Sequence, residues 1–227
     1  MNYKLLSGIG VVALAVVSFY LVNVDKDYRA ILSQQLKVSH IIYNPDKELP
    51  KFSLLDYDNQ AFNNEHLKGD WSLVLFIYTH CPDICPTELM DMASLKRLME
   101  EDKTAKMPKV VAITFDPLRD TPKVLKTYIS YFDKDFIGVS GEQAQIDRLI
   151  KPFGAYYERV IVAENGKQTI LKASEKLPEN ALKEGYVINH TAWIYLLNPE
   201  GKIFAGFPSP HKPKEMMQDI KLIMGHF

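Results

Sequence analysis

Apolar residues are not spread evenly along this chain. They gather first into one unbroken run, Leu5 to Val24, and afterwards into short blocks set between charged and turn-forming residues. The run carries no charge and is long enough to cross a bilayer as a helix. Past it, β-branched and aromatic blocks at Trp71 to Tyr78, Val110 to Phe115, Phe136 to Val139 and Tyr156 to Val162 predict strands. Helical spacing fills the gaps between them. One helix runs from just after Cys81 to about Glu101, and another is opened by Thr121-Pro122 as N-cap and first-turn proline and runs through Tyr131. A third covers Glu142 to Phe153. Phe52 to Asp58 reads as a strand with a turn, and Val187 to Leu197 as one apolar strand. The signal Asn198-Pro199-Glu200-Gly201-Lys202 then turns the chain into Ile203-Phe204-Ala205, before a closing helix from about Pro213 to Met224.

Strands alternating with helices predict an α/β fold with a partly parallel sheet in a single domain, residues 49–227. Ligands of such sheets bind beyond the carboxyl ends of the strands, where the turns after Tyr78 and Phe115 both fall. Residues 163–186 are polar and rich in lysine and glutamate, and read as an inserted excursion. Residues 25–48 mix charge with scattered apolar positions and read as a linker, a stalk or short helix joining membrane to domain. Residues 1–24 are read as a transmembrane anchor. A cleavable signal peptide is the competing reading, since Ala13-Leu14-Ala15 resembles a cleavage site. Cutting there would leave Val16 to Val22 exposed, so an uncleaved anchor is expected. Lys4 on the short side places the N-terminus in the cytoplasm and the domain outside. The expected location is therefore a bacterial inner membrane, crossed once, with the soluble domain in the periplasm.

Charge excludes one class of partner. With 27 Lys and Arg against 28 Asp and Glu, and no basic stripe or glycine-rich phosphate loop, nothing attracts nucleic acid.

The chain has two cysteines in 227 residues, and they sit together in Phe76-Ile77-Tyr78-Thr79-His80-Cys81-Pro82-Asp83-Ile84-Cys85-Pro86. A proline is tolerated in the first helical turn, so the helix should start near Asp83 to Cys85. Cys81 then belongs to the turn and Cys85 to the first turn of the helix. Unpaired N–H groups and the helix dipole favour thiolate there, and thiolate is both nucleophile and soft-metal ligand. A structural disulfide across so short a loop would stabilise little. A closed zinc site wants four ligands, and there is no second cysteine pair.

Among the histidines, His190 stands at the start of an apolar strand just after the polar excursion, where a hydrogen-bonded structural role competes with that of a ligand. His80 should point away from its neighbour Cys81. His40, His66, His211 and His226 fall in linker, loop or terminal segments and carry no signal.

Three stretches together resemble the Sco/SenC family of membrane-anchored, thioredoxin-like copper proteins of cytochrome c oxidase assembly. They are Tyr78-Thr79-His80-Cys81-Pro82-Asp83-Ile84-Cys85-Pro86-Thr87-Glu88-Leu89, then Phe115-Asp116-Pro117-Leu118-Arg119-Asp120-Thr121-Pro122, then Tyr186-Val187-Ile188-Asn189-His190-Thr191. The resemblance implies a thioredoxin-like domain behind an N-terminal transmembrane helix, with Cys81, Cys85 and His190 as copper ligands. Two thiolates and an imidazole suit Cu(I), and Cu(II) if a further ligand joins. Asn189 stands where the family usually has aspartate, so it and Asp116 are the residues to examine behind the ligands, Asp116 having an alternative role as a turn residue. Redox thioredoxins usually place two residues between their cysteines and a cis-proline before the facing strand. Here there are three residues, with His190-Thr191 at the similar place. The function implied is delivery of copper to the copper-site subunit of cytochrome c oxidase, with a separate copper donor protein upstream. A thiol–disulfide oxidoreductase, with Cys81 or Cys85 as nucleophile, is the alternative.

Overall fold

The computed structural model describes residues 28–42, 48–163, 166–173, 175–179 and 181–225. The expected span Leu5 to Val24 lies outside them. Among the described residues no helix is long and apolar enough to cross a membrane.

The main sheet has eight strands. In spatial order they are β1 (His40–Ile41), β11 (Ile203–Pro208), β10 (Trp193–Leu197), β4 (Ser72–Ile77), β5 (Lys109–Thr114), β6 (Ile137–Ser140), β2 (Ser53–Asp56) and β3 (Ala61–Asn63). Only β4, β5 and β6 are mutually parallel. Parallel neighbours need long crossovers, and α2 (Ile84–Asp102) and α3 (Pro122–Phe132) supply them. Helix α4 (Gln143–Phe153) follows β6, and α6 (Pro213–Met224) packs on α2 at the end of the chain. Every residue of β4 is buried, as a parallel strand covered on both faces requires. Its Phe76 ring meets Phe153 of α4 and Tyr195 of β10 edge-on and lies tilted against Phe115. The strand that leads into the cysteines is thus the most firmly packed in the domain.

One expectation changes and two gain detail. The apolar run from Val187 to Leu197 is not one strand. It divides at Thr191-Ala192 into β9 (Val187–His190) and β10, which belong to different sheets. β9 joins β7 (Tyr157–Val162) and β8 (Gln168–Lys172) in a small antiparallel sheet of order β8-β7-β9. Periodicity alone cannot reveal such a division, because apolar positions continue through the corner. The excursion over 163–186 likewise contains regular structure, since β8 pairs along β7 before the short helix α5 (Ala181–Glu184).

Part of the expected stalk is docked on the domain. Helical residues 28–35 (α1) bury Leu32, and β1 pairs antiparallel with β11. Asp219 of α6 secures this segment. Its buried carboxylate accepts the backbone N–H groups of Lys37, Val38 and Ser39 and the Ser39 hydroxyl, all at 2.8–2.9 Å. Gly206 makes the approach possible: a Cβ there would come within 2.6 Å of Ile42 and 2.7 Å of the Trp193 ring.

Asp219→Ala should leave those donors buried without an acceptor, at a cost of about 2–4 kcal/mol. Urea unfolding should report that loss, and limited proteolysis of the folded variant should begin to cleave N-terminal to residue 48. An unchanged midpoint would mean that the segment contributes nothing to the domain.

Candidate metal centre

The cysteine arm is built by the end of β4. The Tyr78 carbonyl accepts the Cys81 N–H at 3.2 Å, closing a turn, and α2 starts at Ile84. The first N–H groups of a helix have no carbonyl partner. That of Cys85 donates instead to the Cys81 sulfur, at 3.4 Å. The two cysteines are not joined in a disulfide, and Cys81 is partly exposed and Cys85 fully buried.

The expectation that the helix terminus favours thiolate at both positions holds for one of them only. Hydrogen bonding from the Cys85 thiol, with His190 and the backbone of Asp83 and Cys85 adding to it, outweighs the cost of burial and pulls Cys81 down to about 3. Burial pushes Cys85 well above the ordinary thiol value, and the neighbouring Cys81 charge pushes the same way. The pair therefore holds one negative charge, on the accessible sulfur.

His190 closes the site from the other sheet. It ends β9 opposite Tyr157 of β7, and its ring packs against Phe115 at 5.1 Å and edge-on to Tyr78 at 5.9 Å between centroids. Its Nδ1 lies 3.0 Å from the Thr191 carbonyl, and its Nε2 lies 3.3 Å from the Cys85 sulfur. A carbonyl only accepts, so Nδ1 carries a proton and Nε2 is the nitrogen presented to the sulfurs. Burial opposes protonation of the ring, but hydrogen bonding to the Cys81 sulfur and the Thr191 carbonyl raises His190 above its ordinary value.

Cys81, Cys85 and His190 offer three donor atoms that all lie within 4.8 Å of one another. Among the described residues they form the one such cluster of histidine, cysteine and carboxylate groups. The donor set is soft, low in coordination and screened by aromatic rings, which suits Cu(I) better than a hard cation or a four-coordinate structural zinc. His80 takes no part. It is exposed, with Nδ1 at 3.2 Å from the Thr79 hydroxyl.

Asp116 and Asn189 stand behind the site differently from one another. Asp116 is fully buried and accepts the Tyr186 hydroxyl at 2.5 Å and the Arg119 Nε–H. It reaches the site through the start of β9 and contacts no ligand directly among the described bonds. Asn189 alternates with His190 along β9, so its side chain leaves by the opposite face. There it donates to Glu158 at 3.1 Å.

Other supporting groups carry little signal in the sequence. Asp120 is fully buried and accepts the Thr79 N–H, the Thr79 hydroxyl and the Thr114 hydroxyl at 3.0, 2.5 and 2.6 Å, tying the cysteine loop to β5. Burial raises Asp120 despite those donors. His211, expected to carry no signal, is buried against Glu88 on α2, with Nε2 and Oε1 3.2 Å apart. A carboxylate three residues after Cys85 on the same helix was the available clue to this second buried group. Nothing local to His211 pairs it with Glu88.

Comparison with known proteins agrees with this geometry. The SCO1/SenC family description matches residues 42–225. The chain is 36% identical over 170 residues to an SCO2-like protein of Rickettsia felis, covering 75% of this chain and 74% of that protein. Among solved structures it is similar to Bradyrhizobium japonicum ScoI with copper bound, at 31% identity and a TM-score of 0.60, covering 77% of this chain and 98% of that one. Yeast Sco1 with copper bound shares the fold at 24% identity and a TM-score of 0.66, covering 79% and 89% of the two chains. The mixed α/β domain is therefore thioredoxin-like in the manner of the Sco proteins.

Alkylation of Cys81 by iodoacetamide should stay fast from pH 8 down to pH 5, because the thiolate persists across that range. An unperturbed thiol, near pKa 8.5, would slow by about tenfold per pH unit there. Cys85→Ala removes the principal donor and should move the Cys81 profile upward. A wild-type profile that falls like a free thiol would contradict the assignment of the charge to Cys81.

Proposed function

The chain belongs to the SCO1/SenC family, and we propose that it works as a copper-binding assembly factor for cytochrome c oxidase. The observation that carries this reading is the convergence of two sulfurs, from the β4–α2 turn and the start of α2, and an imidazole Nε2 from the small sheet on one point. Copper is the cargo. Cys81, Cys85 and His190 would hold it, and the similar proteins whose structures have copper bound support that choice of metal.

Each residue has a distinct task. Cys81 presents a thiolate at the surface, where incoming metal arrives. Cys85 supplies a second sulfur from within the core and must lose its proton when metal binds, so uptake releases protons. His190 must present a neutral Nε2, and its Nδ1–H bond to Thr191 keeps that nitrogen aimed at the sulfurs. Because the histidine sits in the small sheet and the cysteines in the turn after β4 and the first turn of α2, one donor can leave without disturbing the other two. Release to an acceptor needs such a step.

The acceptor in this proposal is the copper-site subunit of the oxidase, loaded by a separate copper donor protein. The proposed setting is the periplasmic face of a bacterial inner membrane, with residues 1–24 as the anchor. The family resemblance and the apolar run support it.

The unequal thiols favour a second activity as well. A partly exposed thiolate at Cys81 beside a protonated, buried Cys85 is the arrangement of an attacking and a resolving cysteine. In that activity Cys81 attacks the acceptor's disulfide and Cys85 resolves the mixed disulfide, leaving the acceptor as a dithiol and this protein as the Cys81–Cys85 disulfide, which an external thiol reductant must reopen before the site takes copper.

Reduced protein titrated with Cu(I) against a competing chelator should saturate at one equivalent, and Cys81→Ser with Cys85→Ser should abolish uptake. His190→Ala should weaken retention by at least about tenfold, equivalent to about 1.4 kcal/mol, and leave disulfide-reductase activity near wild type. Unchanged copper binding in His190→Ala, with reductase activity lost, would make the oxidoreductase the better reading.

A further inference from the structure

His190 has to be held in place by something outside its own strand. β9 is an edge strand of the small sheet, bonded to β7 on one side only. It follows a segment whose β8 is largely exposed. Backbone pairing with β7 sets the direction of β9 but not its distance from the cysteine loop.

The Tyr78 hydroxyl meets the Ile188 backbone of β9 directly, and the turn after β5 ties the foot of the strand. Asp116, with no solvent exposure, accepts the Tyr186 hydroxyl and the Arg119 Nε–H on its two oxygens. Arg119 in turn donates Nη1–H to the Tyr186 carbonyl at 2.9 Å, with its guanidinium 3.6 Å from the centre of the Tyr186 ring and 5.9 Å from that of Tyr78. Tyr186 is the residue before β9, four positions from His190. Tyr78 is the residue whose carbonyl closes the cysteine turn. One arginine therefore touches both arms of the site. Asp120, at the other end of the same turn, binds the cysteine arm through Thr79.

We propose that Asp116, Arg119 and Tyr186 form a latch that holds His190 against the cysteine pair, and that opening it converts the three-donor site into a two-thiol site. These are positioning residues. The inference relies on the proposed function for the identity of the metal alone, because the latch belongs to the copper-free protein too. A carboxylate buried with only these donors has no alternative partner among the described bonds, so the cluster is either closed or lost as a unit. Release of β9 need not disturb the cysteine turn, which Asp120 secures independently.

Tyr186→Phe removes one hydroxyl and little volume, and Asp116→Asn keeps the shape of the side chain. Leu118→Ala, on an exposed side chain of the same turn, serves as the control. In copper-free protein, amide exchange at residues 187–190 should accelerate at least about tenfold in Tyr186→Phe, while α2 and Leu118→Ala stay at wild-type rates. With Cu(I), Tyr186→Phe should weaken retention about threefold or more, and have no effect in a His190→Ala background, because the latch acts only through that residue. If Asp116→Asn does not fold, Tyr186→Phe alone decides. Unchanged exchange at 187–190 overturns the latch, and so does an equal copper loss with and without His190. Wild-type protein that takes up no copper would overturn the proposed function instead, leaving the exchange result to judge the latch.

Discussion

A carboxylate withdrawn from water must be met by hydrogen-bond donors, and this domain relies on that requirement to join segments that are remote in sequence. Asp219 gathers the backbone of 37–39 onto the last helix. Asp120 takes Thr79 of the cysteine turn together with Thr114 of β5. Asp116 takes Tyr186 at the foot of β9. Each bond is modest in net terms, but leaving any of these groups unpaired inside the protein is costly, so the three sites behave as fasteners. Two of them lie within five residues of one another at the carboxyl end of β5. That end of the sheet is where a site assembled from β4 and β9 needs support.

The consequence for chemistry is a pair of cysteines that are close in space and different in character. Cys81 keeps a charge because donors surround its sulfur, and Cys85 keeps a proton because the core surrounds its own. With one partly exposed thiolate, one buried thiol and an imidazole from the small sheet, the three donors can be engaged or given up one at a time.

Much of this was legible in the sequence. The strand that ends just before the cysteine turn, the helix that begins beside Cys85 and the proline-opened α3 follow from local periodicity and capping, which depend on neighbours in the chain. Family resemblance added His190, and the structure brings it to the two sulfurs. What stayed hidden depends on contacts across many residues. The apolar run Val187 to Leu197 gives no sign that it changes sheets at Thr191-Ala192. The segment 25–48 looks like a stalk because its partner, Asp219, lies some 180 positions away. Asp116 in Asp116-Pro117-Leu118-Arg119 is indistinguishable from a turn residue until Tyr186 is placed over it. His211 gains meaning only once Glu88 is buried against it.

The central claim is that one soft site is formed by Cys81, Cys85 and His190 together. X-ray absorption at the copper edge of the Cu(I)-loaded reduced protein tests it most directly, because the technique counts sulfur and nitrogen neighbours independently of affinity. The account predicts two sulfurs and one imidazole nitrogen in wild type, with the nitrogen alone missing in His190→Ala. Copper held by two sulfurs and no nitrogen in wild type, or by nitrogen and oxygen alone, would contradict it.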